Sequence, residues 1–141
     1  MPHPILITSP KFVPHEAFAR DFLARNDCTV IEHSGHQRRL DEAALVDLIG
    51  AAEGYIVGSE KVTERVFAAA PHLKVVSAQG VGYDHIDVEA ATQHGVMVCN
   101  CAGCNNHAVS ELALGMMIGL ARRLYAVDRA MRAGEWSATT G

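Results

Sequence analysis

Apolar residues recur along this chain in two rhythms that alternate from the first residues onward. Short β-branched runs read as buried strands, and the stretches between them carry apolar residues at helical spacing. Ile5-Leu6-Ile7-Thr8 is the first such run and ends at Ser9-Pro10. Pro14 then suits the first turn of a helix in which Phe18, Phe22 and Leu23 share one buried face. Cys28 to Glu32 reads as the second strand. Past a polar loop, Asp41 is placed to cap a helix with Leu45, Leu48 and Ile49 inward, and Gly54 precedes the third strand, Tyr55-Ile56-Val57. Thr63 caps the next helix and Pro71 stops it. Leu73 to Ala78 is the fourth strand, and the turn Gly80-Val81-Gly82 follows it, leading towards a short helix. Asp87 is a good N-cap for that helix, Val88 to His94. Gly95 can take the left-handed conformation that ends it and releases the chain into a fifth strand, Val96 to Cys99.

Strands separated by helices predict a parallel sheet. Five strands and four helices give the fold class α/β: a doubly wound, flavodoxin-like five-stranded parallel sheet with helices on both faces. From about Asn106 the rhythm changes. Val109, Leu112, Ala113, Met116, Met117, Leu120, Leu124 and Val127 fall at helical spacing and predict one long helix with a wide apolar stripe. The division expected from this change is a sheet domain over residues 1–105 and a helix-and-link segment over 106–141. A Met-rich stripe serves either as plain core or as a partner surface. A helix appended after a complete sheet has little of its own domain left to cover it, so both readings stay open.

Composition narrows the function classes. The 141 residues are 49% hydrophobic and 20% charged, with a formal net charge of −4. That is an ordinary globular balance with no electrostatic reason to expect nucleic acid. Arg38-Arg39 and Arg122-Arg123 are too short to form a phosphate track. The longest apolar run, Leu112 to Ala121, is well short of the ~20 residues that span a bilayer, so no membrane partner is expected. The N-terminus lacks a basic region followed by a long apolar stretch, so the expected location is cytoplasmic and the four cysteines are expected as thiols.

Candidate chemistry gathers at the strand ends. Ligands of open parallel sheets collect at the carboxyl edge, where Thr8-Ser9-Pro10, Gly58-Ser59, Gly80-Val81-Gly82 and Asn100 to Asn106 all fall. The run Gly80-Val81-Gly82-Tyr83-Asp84-His85 opens like a dinucleotide loop, but His85 stands where the third glycine belongs. A bulky imidazole cannot replace a missing side chain. The turn therefore suits a smaller anion such as a carboxylate, held by backbone N–H groups with help from the positive end of the following helix. The two glycines could equally make a tight connection and nothing more. His85 belongs either near that site or on the surface at a helix start. Cys99, Cys101, Cys104 and His107 suggest zinc at first sight, but Cys-x-Cys is not the spacing of paired zinc knuckles, and no metal is expected. No Ser/His/Asp order and no HExxH pair is present. Thr8-Ser9-Pro10 and Val57-Gly58-Ser59 lack the carboxylates of a phospho-acceptor receiver, and Pro10-Lys11-Phe12 does not suit a flavin-phosphate loop.

One ordered set of residues carries a resemblance. It runs Ala70-Pro71-His72-Leu73-Lys74-Val75-Val76, Gly80 to Asp87, Ala90-Ala91, Gly95-Val96, Asn100, Gly103, Asn105, Val109, Glu111-Leu112, Arg122-Arg123 and Gly134-Glu135-Trp136. In this the chain resembles the D-isomer-specific 2-hydroxyacid dehydrogenases, weakly before Tyr55 and strongly after Leu73. The resemblance implies a substrate domain whose long helix crosses into a Rossmann domain lying beyond Gly141. The nucleotide fingerprint, the catalytic arginine, the glutamate–histidine pair and a terminal helix that returns to the substrate domain would lie there too, so no catalytic residue is assigned within this chain. It implies that Gly80, Val81 and Gly82 form the substrate turn, with the N–H groups of Val81 and Gly82 holding the carboxylate of a small 2-oxo or 2-hydroxy acid. It implies further that Val81 and Val109 touch NAD or NADP from the substrate side, and that the helix from Asn106 forms a homodimer. Ala78 stands where phosphoglycerate dehydrogenases commonly carry arginine, which argues against a phosphorylated substrate; Ala102 and Ser110 replace a common proline and alanine. The competing reading is a non-catalytic, corepressor-like binding module of the same fold.

Overall fold

The computed structural model describes residues 2–9, 12, 16–33 and 40–136. Its elements in chain order are β1 (His3–Ile7), α1 (Glu16–Arg25), β2 (Cys28–Ile31), α2 (Glu42–Ile49), β3 (Gly54–Val57), α3 (Glu64–Ala68), β4 (Val75–Ala78), α4 (Val88–Gln93), β5 (Met97–Cys99), α5 (Asn106–Ala121) and α6 (Leu124–Arg132). They divide into two compact units, Met1–Ala102 and Gly103–Gly141.

The first unit is a five-stranded parallel sheet in the order β2-β1-β3-β4-β5. The chain moves outward once, from β1 to β2, and then returns across β1 and continues the other way. Right-handed crossovers therefore place α1 on one face and α2, α3 and α4 on the other, the doubly wound arrangement the alternation predicts. The caps work as expected at two helices. Asp41 accepts from the Ala44 N–H and Asp87 from the Ala90 N–H, each at 2.9 Å. Thr63 occupies the N-cap of α3 but turns its hydroxyl to Glu42. Gly95 is left-handed, at φ +70°.

The core lies between the sheet and α2–α4. Leu6, Tyr55, Val57, Val76 and Ala78 meet Leu45, Ile49, Val66, Phe67, Ala90 and Ala91, all buried. The α1 face is covered only in part: Ile56, Val75 and Ser77 are half-buried and Met97 is 64% exposed. Pro14 lies outside the described residues. The buried face expected on α1 is not formed, because Phe18 and Phe22 are 75% and 58% exposed. The helix runs beside β2, an edge strand, and no described residue on its outer side receives the two rings. At the opposite edge of the strands, Lys74 and His3 both bond the Glu53 carboxylate, and Lys74 first, then His3, hold it below the usual carboxylate range.

In the second unit the long helix is broken. α5 ends at Ala121, Arg123 is left-handed at φ 54°, and α6 starts at Leu124, so Leu124 and Val127 do not continue the stripe of Val109, Leu112, Met116 and Leu120. Gly119, the one buried residue of α5, lets the Tyr125 ring of α6 come close; a Cβ there would lie 3.1 Å from the Tyr125 hydroxyl. No helix among the described residues is long and apolar enough to cross a membrane.

Candidate substrate-anchoring site

The four loops expected at the carboxyl edge follow β1, β3, β4 and β5, and hydrogen bonds tie them together. β4 extends one step further when the Gln79 N–H bonds the Val57 carbonyl at 3.1 Å. The chain then turns at Gly80. Two groups of the loop after β5 hold that turn: the Cys101 N–H donates to the Gly80 carbonyl at 2.8 Å, and Asn100 Nδ2 donates to the Val81 carbonyl at 2.7 Å. A trans peptide points its C=O and the next N–H in opposite directions, and no peptide bond in the chain is cis. With both carbonyls directed at the β5 loop, the N–H groups of Val81 and Gly82 point away from it, to the open side. No hydrogen bond among the described residues takes either of them.

The glycines have no internal explanation. Neither Gly80 nor Gly82 has a positive φ. A Cβ on Gly80 would meet nothing within 4 Å, and one on Gly82 would meet only the flexible Asp84 carboxylate, at 3.3 Å. Residues that avoid a side chain where neither backbone nor packing requires it leave room for something outside the chain. The segment Ser77 to Asp87 contains no Lys or Arg, so its attraction for an anion is wholly dipolar.

The following helix does not add its positive end to this turn. Five residues separate Gly82 from α4, and the Asp87 carboxylate already occupies the first turn of that helix. For the same reason a pyrophosphate does not fit: the helix end is occupied by an acid, and His85 fills the third-glycine position. His85 is half-buried, with its ring turned inward. Its Nε2 is enclosed without a hydrogen-bond partner, its carbonyl accepts from the Val62 N–H at 2.9 Å, and Ile86 bridges to Val62.

Beside the turn lies a buried polar network that sequence patterning does not single out. Glu60 is 1% exposed. Its Oε2 accepts from the Thr8 hydroxyl at 3.0 Å and from the Gly58 and Ser59 N–H groups at 3.2 and 3.1 Å. Because the single Thr8 proton goes to Glu60, the Tyr55 hydroxyl is the donor in its 3.0 Å bond to Thr8. Burial raises the Tyr55 phenol well above its ordinary range; the bond with Thr8 opposes this and the Glu60 charge adds to it. Next to Thr8, the buried Ser9 hydroxyl donates to Oε1 of Gln79, the residue before the glycine turn. A charged residue in Gly58-Ser59-Glu60-Lys61 reads in sequence as solvent-facing, and only the short spacing of polar residues after β1 and β3 hinted otherwise.

Of the remaining candidates, Cys101 reaches the turn through its backbone N–H on the Gly80 carbonyl. Val109 lies in the second unit, in the first turns of α5, and is exposed. Cys99, Cys101 and Cys104 are exposed thiols, and the Cys101 sulfur sits 3.9 Å from the Ala78 carbonyl. Among the described residues no group of three His, Cys, Asp or Glu side chains could hold a metal ion.

Comparison with known proteins decides the family. Residues 5–140 match the model of the D-isomer specific 2-hydroxyacid dehydrogenase catalytic domain. The chain belongs to this family. The domain is 33% identical over 133 residues to a D-3-phosphoglycerate dehydrogenase of Archaeoglobus fulgidus, covering 94% of this chain and 24% of that protein. It is 42% identical over 78 residues to a glyoxylate reductase of Thermococcus onnurineus, covering 55% and 23%. The fold of this dehydrogenase domain matches an NAD+-bound 3-phosphoglycerate dehydrogenase from Entamoeba histolytica with a TM-score of 0.70 at 28% identity, over 84% of this chain and 39% of that one. The chain thus spans about a quarter of the length of the curated relatives it matches.

Proposed function

We propose that this chain is the substrate-binding part of an NAD(P)-dependent oxidoreductase that interconverts D-2-hydroxy acids and 2-oxo acids. The observation that carries the reading is the pair of committed carbonyls, Gly80 and Val81, which leaves the N–H groups of Val81 and Gly82 directed together at open space. Two such donors match the two oxygens of a carboxylate, and Gly80 keeps the approach clear. A nicotinamide supplies hydride exchange at C2 when it is bound. The residues of the turn fit contact with it, not its nucleotide half: Val81 offers an apolar group there, and the position of His85 and Asp87 excludes the pyrophosphate; Val109 is a second contact by the family resemblance alone. NAD or NADP is therefore held mainly by another part of the protein, which also supplies the catalytic arginine and the acid/base pair.

The chain by itself is then an anchor without turnover. Charge-assisted hydrogen bonds contribute about 1.5–3 kcal/mol each, so two give about 3–6 kcal/mol before association costs. Millimolar binding already requires about 4 kcal/mol, so affinity is weak. The purified chain is expected to show millimolar, saturable shifts of the Val81 and Gly82 amide resonances on addition of glyoxylate, with no consumption of NADH. Silent amides would sink the anchor, and NADH-dependent reduction would sink the claim that the chain is inactive alone.

The same reading gives α5 a partner. Val109, Leu112, Met116 and Leu120, spaced three and four apart, share one side of the helix, and Leu114 and Ile118 lie on the opposite side; all six are exposed. A helix apolar on two sides is built to be covered on both. We assign one of these sides to a second copy of this chain, making a homodimer. Sedimentation should show a dimer that Leu112→Glu dissociates; a monomer throughout the concentration range of the binding titration would rule it out.

A further inference from the structure

The bond between Ser9 and Gln79 has no part in anchoring a carboxylate, yet it fixes a polar side chain at the same edge. Ser9 follows β1, and β1 is separated from β4 by β3 in the sheet. To reach Ser9, the Gln79 side chain must cross the end of β3, on the side away from β5. That is also the side to which the Val81 and Gly82 N–H groups point, because their carbonyl partners belong to the β5 loop.

The bond also decides which end of the carboxamide is free. The Ser9 hydroxyl occupies Oε1 of Gln79. The Gln79 NH2 group takes part in none of the hydrogen bonds of the described residues, and it is not enclosed, since the only buried unpartnered side-chain nitrogen or oxygen among those residues is His85 Nε2. Ser9 itself is 1% exposed and cannot turn away to solvent. A carboxamide whose acceptor end is engaged presents only donors.

We propose that Gln79, oriented by Ser9, is a specificity-determining residue that selects 2-oxo acids carrying an oxygen acceptor on C3. The proposal rests on the carboxylate anchor described above. With the carboxylate on Val81 and Gly82, an acid longer than glyoxylate extends its C3 substituent over the carboxyl edge, where the Gln79 NH2 can donate to a hydroxyl or carboxylate oxygen. An acid with a plain methyl at C3 gains nothing there and leaves that donor to water. Ser9 is the positioning residue in this arrangement.

The test compares pyruvate with hydroxypyruvate, which differ at C3 by one hydroxyl, in titrations of the whole 15N-labelled chain. The expected result has three parts. Both acids shift the Val81 and Gly82 amides; only hydroxypyruvate shifts the Gln79 side-chain NH2 pair; hydroxypyruvate binds about five-fold tighter, the factor one neutral hydrogen bond contributes. Gln79→Leu brings the ratio of the two dissociation constants to about one. Ser9→Ala, which frees the carboxamide to turn, shrinks it. Equal affinities with a silent Gln79 NH2, while Val81 and Gly82 respond, would overturn the selectivity and leave the anchor standing. Silence of Val81 and Gly82 towards both acids would overturn the anchor itself. The wild-type comparison decides the matter even if a variant fails to fold.

Discussion

Replacing Gly80 by alanine is expected to leave the domain as stable as before, or more so, and to remove its response to small 2-oxo acids. Glycine is normally kept where φ is positive or where a neighbour crowds the Cβ, and neither holds at Gly80. At such a position alanine reduces the freedom of the unfolded chain and stabilises by about 0.4–1 kcal/mol. The same methyl group stands in the space through which an acid must approach the Val81 and Gly82 amides. Urea denaturation should therefore give an unchanged or higher midpoint for Gly80→Ala, while glyoxylate affinity falls by about ten-fold or more, equivalent to about 1.4 kcal/mol. Gly80→Val should bind less still. If Gly80→Ala bound glyoxylate as the wild type does, the glycine would be explained by the turn alone and the open approach would be incidental.

The second large effect is on folding. Glu60→Ala removes a buried carboxylate that accepts three hydrogen bonds, leaving the Thr8 hydroxyl and the Gly58 and Ser59 N–H groups without it. Each buried donor left without its acceptor costs about 1–3 kcal/mol. Whole domains are stable by only about 5–15 kcal/mol, so the variant should be near the limit of folding, with a strongly lowered urea midpoint by circular dichroism. Glu60→Gln keeps one acceptor oxygen and should lose less. Thr8→Val should also cost stability, and its loss should not add fully to that of Glu60→Ala, because the two share a bond. A Glu60→Ala protein within about 1 kcal/mol of wild type would mean that water replaces the carboxylate and that the network does not brace the edge.

These two predictions concern positions that differ in how legible they are. Gly80 was visible as a turn after a strand, because glycine pairs and strand periodicity are local properties. Glu60 was not, because a glutamate between Ser59 and Lys61 looks like any surface charge until the ends of β1 and β3 are brought together around it. Asn100 falls between these cases. It belongs to the ordered set that marks the family, but its task, holding the Val81 carbonyl, appears only when the loop after β5 is seen beside the turn after β4.

The helices show the same division. Asp41 and Asp87 could be assigned as caps from sequence because a cap acts on the N–H groups two or three residues away. The burial of Phe18 and Phe22 could not: their spacing makes an apolar face on α1, but spacing does not say whether an element lies opposite, and beside the edge strand β2 none does in the described structure. The run from Val109 to Val127 likewise keeps helical spacing through Arg122-Arg123, with no Gly or Pro between Leu120 and Val127 to mark a stop. The break comes from Arg123 adopting a left-handed conformation and from the packing of Tyr125 against Gly119.

By itself, then, the sequence determined the strand and helix alternation, the parallel sheet, the N-caps of α2 and α4, the loops that meet at the carboxyl edge and the family, since each follows from neighbours along the chain or from an ordered motif. The tertiary structure decided which apolar faces are covered, where the last helix breaks, which buried carboxylate braces the edge, and that the Val81 and Gly82 amides face outward together. The helix break is local, set by Arg123 and by Tyr125 meeting Gly119; the edge and the turn depend on groups 19 to 70 residues apart being brought within hydrogen-bonding distance, as with Asn100 and Val81 or Ser9 and Gln79. Only the crossing of the strands supplies that proximity.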